Sequence, residues 1–355
     1  MTETAKTRGS AAEVWLENLI QGDVHEDLKK PIAEAIAVLA EARRSEEDRP
    51  FLTVVMRTQG KKPEAFKDAI LTLYGQSDQD FELLVMAHNT GESDLAVVRR
   101  IIDQQAPSFR ERIRLVEVTG GGRSRPLNTA LTEGRGRYFA FFDDDDLVFG
   151  HWVESFHTAS EQQRGRLLRA VGSTQRMEHE TWPGGASGFR STTWPKAEYL
   201  RTFEFERHLE RNHSPFMSVA FPRELFETWG ERFDEVLDVC EDWDMILRGA
   251  FLVGVTSVDE LTVVYRLWTG VTSSYTEHDR AAWQASEARV RDKLNSRPSI
   301  MPEGAPNSIV DSMRQVETQI VIDNPVIHQI MSSTSWRITA PLRWVTNQAR
   351  RAIRR

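Results

Sequence analysis

Four short apolar runs stand out along the middle of the chain: FLTVVM (51–56), FELLVMA (81–87), IRLVEV (113–118) and RYFAFF (137–142). Their length and their β-branched and aromatic content predict buried strands. In the gaps, apolar residues recur at helical spacing. These are Phe66, Ile70 and Leu73 in the first gap, and Leu95, Val98 and Ile101/Ile102 in the second. In the third, Leu127, Ala130 and Leu131 follow a glycine cluster. Strand–helix alternation of this kind predicts an α/β fold with a mainly parallel sheet and helices on both faces. Ligands of such sheets collect beyond the carboxyl ends of the strands.

The flanks read differently. From Ala11 to Arg44, Ala12, Trp15, Leu16, Leu19 and Ile20, then Ile32, Ile36 and Leu39, keep helical spacing, with Pro31 interrupting. This predicts a helical N-terminal extension and linker over residues 1–50, with residues 1–10 disordered and RRSEEDRP (43–50) as the linker. Past Gly150 the pattern predicts a helix (His151–Gln163), a strand LLRAVGS (167–173) and a loop-rich region (175–213). An apolar stretch FMSVAF (216–221), a helix from Pro222 and the segment EDWDMILRGAF (241–251) come next. VGVTSVDELTVVYRLW (253–268) reads as a strand or hairpin, and residues 281–295 as a helix. The central domain therefore spans 51–295, leaving 296–355 as a C-terminal extension.

Composition narrows the function classes. Net charge is −8 and the pI about 5.7, so the chain lacks the basic footprint of a nucleic-acid binder. One cysteine, Cys240, excludes an internal disulfide framework. The N-terminus shows no signal-peptide pattern, and no apolar run approaches the ~20 residues of a membrane span. The expectation is a cytoplasmic protein, at most peripheral on a membrane.

The chemistry concentrates in YFAFFDDDDLVFG (138–150), where an aromatic strand runs into four consecutive aspartates. Crowded carboxylates at the end of a buried strand carry repulsion and a desolvation cost, which a divalent cation offsets. Oxygen-only ligands point to Mg²⁺ or Mn²⁺ rather than zinc. An acidic run alone is more often a solvated face, but a solvated face is not fed by FAFF.

A hydrophobic strand followed by Asp-x-Asp-Asp resembles the nucleotide-sugar motif of family 2 glycosyltransferases, inverting enzymes of the Rossmann-like GT-A fold. TVVMRTQGKKPEAFKDAILTLYGQSDQDFELLVM is similar to that family's opening strand, helix, Gln-containing turn and second strand. GGGRSRPLNTALTEGRGRYFAFFDDDD resembles its glycine turn, Asn-containing helix and metal motif. FMSVAFPRELFETWGERFDEVLDVCEDWDMILR resembles its acceptor-side segment, which ends in a Glu-Asp pair.

The resemblance implies roles. Asp143 would contact the nucleotide, Asp145 would bind a metal bridging the diphosphate, and Asp146 would support it, with Asp143 also within reach of the metal. Arg57, Thr58 and Gln59 would line the nucleotide pocket. Arg123 and Arg125 would assist the diphosphate, and Asn128 and Asp144 complete the donor-side set. Asp242, with Glu241 beside it, would be the base that takes the acceptor proton. Its alternative role is helix capping, since acids suit a first turn, and Asp244 is a second choice of base.

Two departures appear. Where the family carries an Asp-Asp-Gly-Ser type turn that reads the base, this chain has Ala87, His88, Asn89 and Thr90, which leaves His88 and Asn89 to contact the nucleotide. The family's late His after a Tyr-Arg pair is missing behind Tyr265 and Arg266, with His278 further on as a stand-in. His213 and the loop tryptophans Trp182 and Trp194 are ambiguous between acceptor contact and local packing.

The C-terminal stretch SSTSWRITAPLRWVTNQARRAIRR is basic, with Leu342, Val345, Ala349 and Ile353 at helical spacing and Trp336 and Trp344 nearby. It predicts a basic amphipathic helix at a membrane surface or a partner-docking helix. The expected substrates are a nucleoside-diphosphate sugar donor and a glycan or lipid-linked acceptor, as in bacterial surface-polysaccharide synthesis. Three rivals keep a place: a sugar-phosphate nucleotidylyltransferase, on the strength of GGGRSRPLNT; a phosphotransferase with a nucleophilic Asp, on the Asp-x-Asp spacing of Asp143 and Asp145; and a non-catalytic binding module.

Overall fold

A computed structural model describes residues 10–22, 24–44, 48–185, 187–269, 279–299, 301, 305–322, 329 and 332–340. It divides into two compact units, Met1–Pro302 and Glu303–Arg355.

The predicted strands form where expected: β1 (Leu52–Thr58), β2 (Phe81–His88), β3 (Ile113–Val118) and β4 (Tyr138–Asp143). They lie parallel in the order β3-β2-β1-β4. Helices α3 (Pro63–Tyr74), α4 (Glu92–Asp103) and α6 (Ser124–Glu133) connect them, with the short α5 (Pro107–Arg110) before β3. Both faces of β4 are buried, and its alternation decides which residue serves which core. Tyr138, Ala140 and Phe142 point to the core of α3 and α4. Phe139 and Phe141 point to the core of α6 and of α10 (Glu241–Val253). Each fully buried phenylalanine contributes about 1.5–3 kcal/mol of transfer free energy, so this strand end is held firmly.

The sheet continues beyond β4 with a mixed half. β5 (Leu147–Val148), α7 (Trp152–Gln162), β6 (Leu167–Thr181) and β7 (Ser187–Ser191) come first along the chain. After α8 (Phe205–Glu210), a 3-10 turn (Phe216–Ser218) leads into β8 (Val219–Pro222) and α9 (Arg223–Glu227). β8 runs antiparallel to β4 and β6, and β9 (Val255–Thr269) runs parallel to β6. The stretch 253–268 is therefore one long strand, not a hairpin. The 15-residue β6 also runs well past the predicted 167–173.

The N-terminal extension is two helices, α1 (Ala11–Gln21) and α2 (Glu26–Arg44). The break falls at Gly22, while Pro31 sits inside α2. There it forfeits one intrahelical bond, past the first four positions whose N–H groups are unpaired in any case, and the helix runs on. α1 opens with a capping box in which Ser10 and Glu13 satisfy each other's backbone. The helix predicted at 281–295 is α11 (Arg280–Asn295). The second unit contributes α12 (Ala305–Ile322) and α13 (Thr334–Ile338).

One glycine is dictated by close approach. A Cβ on Gly136 would lie 2.3 Å from the backbone nitrogen of Thr53. Gly136→Ala should therefore cost on the order of 3 kcal/mol, because backbone cannot step aside as a side chain does. A denaturant midpoint equal to wild type would contradict this.

Candidate active site

β1 and β4 end side by side, with Arg57 opposite Asp143 in the register. Arg57 Nε donates to Asp143 Oδ1 at 2.8 Å, and its Nη2 donates to Oδ2 at 3.1 Å, a bidentate pair. Its Nη1 donates to Glu241 Oε1 at 2.7 Å. Arg123 Nε reaches the same oxygen at 3.2 Å. Glu241 thus joins the first strand, the glycine turn and the start of α10 through two guanidinium groups. Burial would raise its pKa, but Arg123 and then Arg57 outweigh burial and bring it down to about 2. It stays ionised and paired, which suits a strut and not a base.

Asp242, one residue on, lies in a different field. Burial, reinforced by the charge of Glu241, lifts its pKa to about 7. Trp243 N donates to Oδ1 at 2.7 Å and Asn212 Nδ2 to Oδ2 at 2.8 Å. A carboxylate poised near neutrality is the protonation behaviour a general base needs. The helix start itself is unusual: Cys240, at its N-cap, adopts φ 65°. A left-handed non-glycine residue stores backbone strain, and here it turns Glu241 and Asp242 into the cleft. Asp244 points away, paired with Arg248 and Lys293, and so drops out as an alternative base.

The four aspartates diverge. Asp143 is held down by Arg57 against the opposing effect of burial. Asp144 accepts from the Thr58 hydroxyl, and burial together with Asp145 pushes it up to about 8. Asp145 pairs with Lys62, whose ammonium also sits 4.8 Å over the Trp268 ring. Asp146 accepts from Arg266 N at 2.8 Å, and burial, with Asp145 and Asp143 adding to it, raises its pKa well above the ordinary range. Among the described residues no three His, Cys, Asp or Glu side chains are grouped as a ready-made metal cage. The excess of negative charge is nonetheless of the kind a hard divalent ion offsets through one or two carboxylates, with phosphates and water as its other ligands.

A cleft of about 160 Å³ opens between these elements. Arg57, Arg123, Asp143, Asp146, Glu241, Asp242 and Asn212 line it together. Tyr199, Phe216, Trp243, Tyr265 and Trp283 supply aromatic wall.

Several residues expected here are elsewhere. Asn128 clasps the backbone of Phe233, donating at 2.9 Å and accepting at 2.9 Å, so it braces a loop and does not line the cleft. Arg125 pairs with Glu235 outside the cleft, and Gln59 is exposed. His88 and Asn89 hold the glycine turn: His88 Nε2 meets Gly120 O at 3.0 Å, and Gly120 N donates to Asn89 Oδ1 at 2.7 Å. His213 is buried against His208, and its neighbour Asn212 is the residue that reaches the cleft. Trp182 and Trp194 do not line it, and Trp194 is 88% exposed. Lys62 and Asn212 were missed because a lone lysine or asparagine in a loop carries no pattern. Their partners lie 83 and 30 residues away. His278 and residues 341–355 lie outside the described residues.

Residues 53–227 match the family model described as glycosyl transferase family 2. That stretch is a family 2 glycosyltransferase domain. The chain is 25% identical over 221 residues to an uncharacterized glycosyltransferase, EpsJ, of Bacillus subtilis (strain 168), covering 61% of each chain. It is also 25% identical over 119 residues to the uncharacterized glycosyltransferase MJ1057 of Methanocaldococcus jannaschii, covering 34% of this chain and 40% of that one. It therefore spans about three-fifths or less of these relatives. Among solved structures it is similar to S. aureus TarS 1-349 in complex with UDP-GlcNAc, with TM-score 0.48, 14% identity, and coverage of 64% and 61% of the two chains. The matched family residues include the four aspartates and end before Glu241 and Asp242. Among the described residues no helix is long and apolar enough to cross a membrane.

Proposed function

We propose that this glycosyltransferase moves a hexose, with inversion, from a nucleoside-diphosphate sugar to a hydroxyl of a glycan or lipid-linked acceptor. One observation carries the reading: a single cleft holds the acidic strand end and two arginines together with Asp242, whose pKa is lifted to about 7.

In the step, Asp242 accepts the proton of the acceptor hydroxyl, and the oxygen attacks the anomeric carbon from the face opposite the phosphate. The sugar–phosphate C–O bond breaks, and its electron pair leaves with the nucleoside diphosphate. Arg123, which faces the cleft, binds diphosphate oxygens. Arg57 keeps Asp143 and Glu241 in place. The aromatic wall offers faces on which sugar rings stack. A bound Mg²⁺ or Mn²⁺ would be held by Asp145, with Asp143 and Asp146 beside it, and supplies Lewis-acid neutralisation of the leaving group. The nucleotide itself is unassigned, because the base-reading turn of the family is replaced by His88 and Asn89. The basic C-terminal sequence supports a cytoplasmic enzyme peripheral on a membrane that carries its acceptor, and bacterial-type surface polysaccharide as the product class.

A thermal-shift screen of nucleoside diphosphates with Mn²⁺ tests the donor side, because a ligand that binds only the folded state raises the midpoint. No shift with any of them would reject it. The metal reading has its own test, free of activity. Lys62 competes with a cation for Asp145, so Lys62→Met should tighten Mn²⁺ binding followed by electron paramagnetic resonance without donor. Asp145→Ala should abolish that binding. Affinities unchanged in both variants would remove the metal from this site.

A further inference from the structure

Asn212 sits between α8 and the 3-10 turn and lines the cleft. Its Nδ2 donates to Asp242 Oδ2 at 2.8 Å. The carboxamide is not free to turn over, because its Oδ1 accepts from Ser214 N at 3.0 Å. The NH₂ group must therefore face the carboxylate.

That arrangement stands on a buried support. Arg169 of β6, fully buried, donates from Nε to Ser214 Oγ at 3.0 Å and from Nη2 to His213 O at 2.9 Å. His208 Nδ1 donates to Glu204 O at 2.8 Å, which leaves Nε2 to accept from the Ser214 hydroxyl at 2.8 Å. The backbone oxygen of His208 in turn accepts from Trp243 Nε1 at 2.6 Å. Trp243 is the residue whose amide donates to the other oxygen of Asp242. Both carboxylate oxygens are thus oriented by groups that share His208 as a common anchor.

We infer that Asn212 is a positioning residue that fixes the plane of the Asp242 carboxylate, so that its remaining lone pair faces the acceptor hydroxyl. The inference rests on Asp242 being the base. Asn212 suits the task because it donates a hydrogen bond without bringing charge. Glu241 and Cys240 on the same helix start, Arg57 from β1 and Arg123 from the glycine turn already set the field around Asp242. A carboxylate that rotates loses alignment with the reacting oxygen, and misplacement of this kind costs on the order of tenfold to a hundredfold in rate.

The test measures nucleoside-diphosphate release from a panel of UDP-, GDP-, CDP- and dTDP-hexoses with Mn²⁺, water serving as the acceptor. Asn212→Ala should lower kcat by about tenfold or more, leave donor KM unchanged, and move the acid limb of the pH–rate profile upward. Asn212→Ser, which keeps a donor, should recover part of the rate. In an Asp242→Asn background, Asn212→Ala should add nothing, since the two act as one unit. A wild-type profile for Asn212→Ala, or an equal further loss in the Asp242→Asn background, overturns the positioning role while leaving the base in place. Wild-type release by Asp242→Asn alone overturns both. Independently of any activity, a crystal structure of Asn212→Ala with Asp242 in its present orientation also overturns it.

Discussion

Arg57→Met should lose at least about 3 kcal/mol of folding stability at pH 8, together with all donor-induced thermal stabilisation. The substitution keeps apolar bulk and removes only the guanidinium. The Arg57 side chain is 11% exposed and that of Glu241 is 5% exposed, so the loss leaves a buried carboxylate short of one of its two cations. Breaking a buried pair from one side costs about 3–5 kcal/mol. Asp143, at 33% side-chain exposure, adds less because solvent screens it. The pH dependence has a definite sign. In the wild type, Asp143 and Glu241 titrate below their ordinary values. Their contribution is therefore present above the unfolded carboxylate range and is lost as pH falls towards about 2 for Glu241. Without Arg57 their pKa values move upward, with Arg123 still holding Glu241, so the deficit against wild type narrows as the pH falls. Denaturant titrations of both proteins at pH 8 and pH 5 measure this. Equal stability at pH 8, or a deficit that widens on acidification, would show that Arg57 is not the keystone of the cleft.

The second large effect belongs to Asp242. Asp242→Asn should lower kcat by about 10²–10⁴, the range expected when a general base is removed, with donor binding retained. Wild-type activity should rise with pH to a plateau above about 7, since the carboxylate is the active form. The same substitution should remove the fall in stability that the wild type shows as pH rises through about 7. The folded pKa of about 7 lies above the ordinary aspartate value, so the folded state binds this proton more tightly than the unfolded chain. Stability from that proton is complete below the ordinary value and is lost as pH rises through about 7. An amide does not titrate, although its NH₂ must face one of the two donors that Asp242 accepts from, so the variant's melting midpoint should stay level between pH 5 and pH 8 while that of the wild type falls. A variant that keeps the wild-type fall in stability between pH 5 and pH 8 would mean that another group carries this titration.

The comparison between chain and fold has a physical pattern. Strands β1 to β4, the helices between them and the acidic strand end follow from local properties: apolar runs, helical spacing, and a charge cluster no solvated face explains. The pairing of Glu241 with Asp242 was also visible as two acids opening a helix, and the resemblance to a known family pointed to their chemistry. What neighbouring letters cannot carry is which of two adjacent acids is neutralised. Arg57 and Arg123 reach Glu241 across 184 and 118 residues, and that difference in partners separates the two carboxyls. The same limit applies to Asn128, Arg125, His88 and Asn89, whose polar groups are consumed by local loop architecture. It applies equally to Asn212 and Lys62, which become site residues only through the groups that face them. Sequence alone determined the strand that presents the acids and the sheet edge at which the cleft opens. Tertiary structure decided the protonation and orientation of each carboxylate, because desolvation and charge pairing act through space and not along the chain.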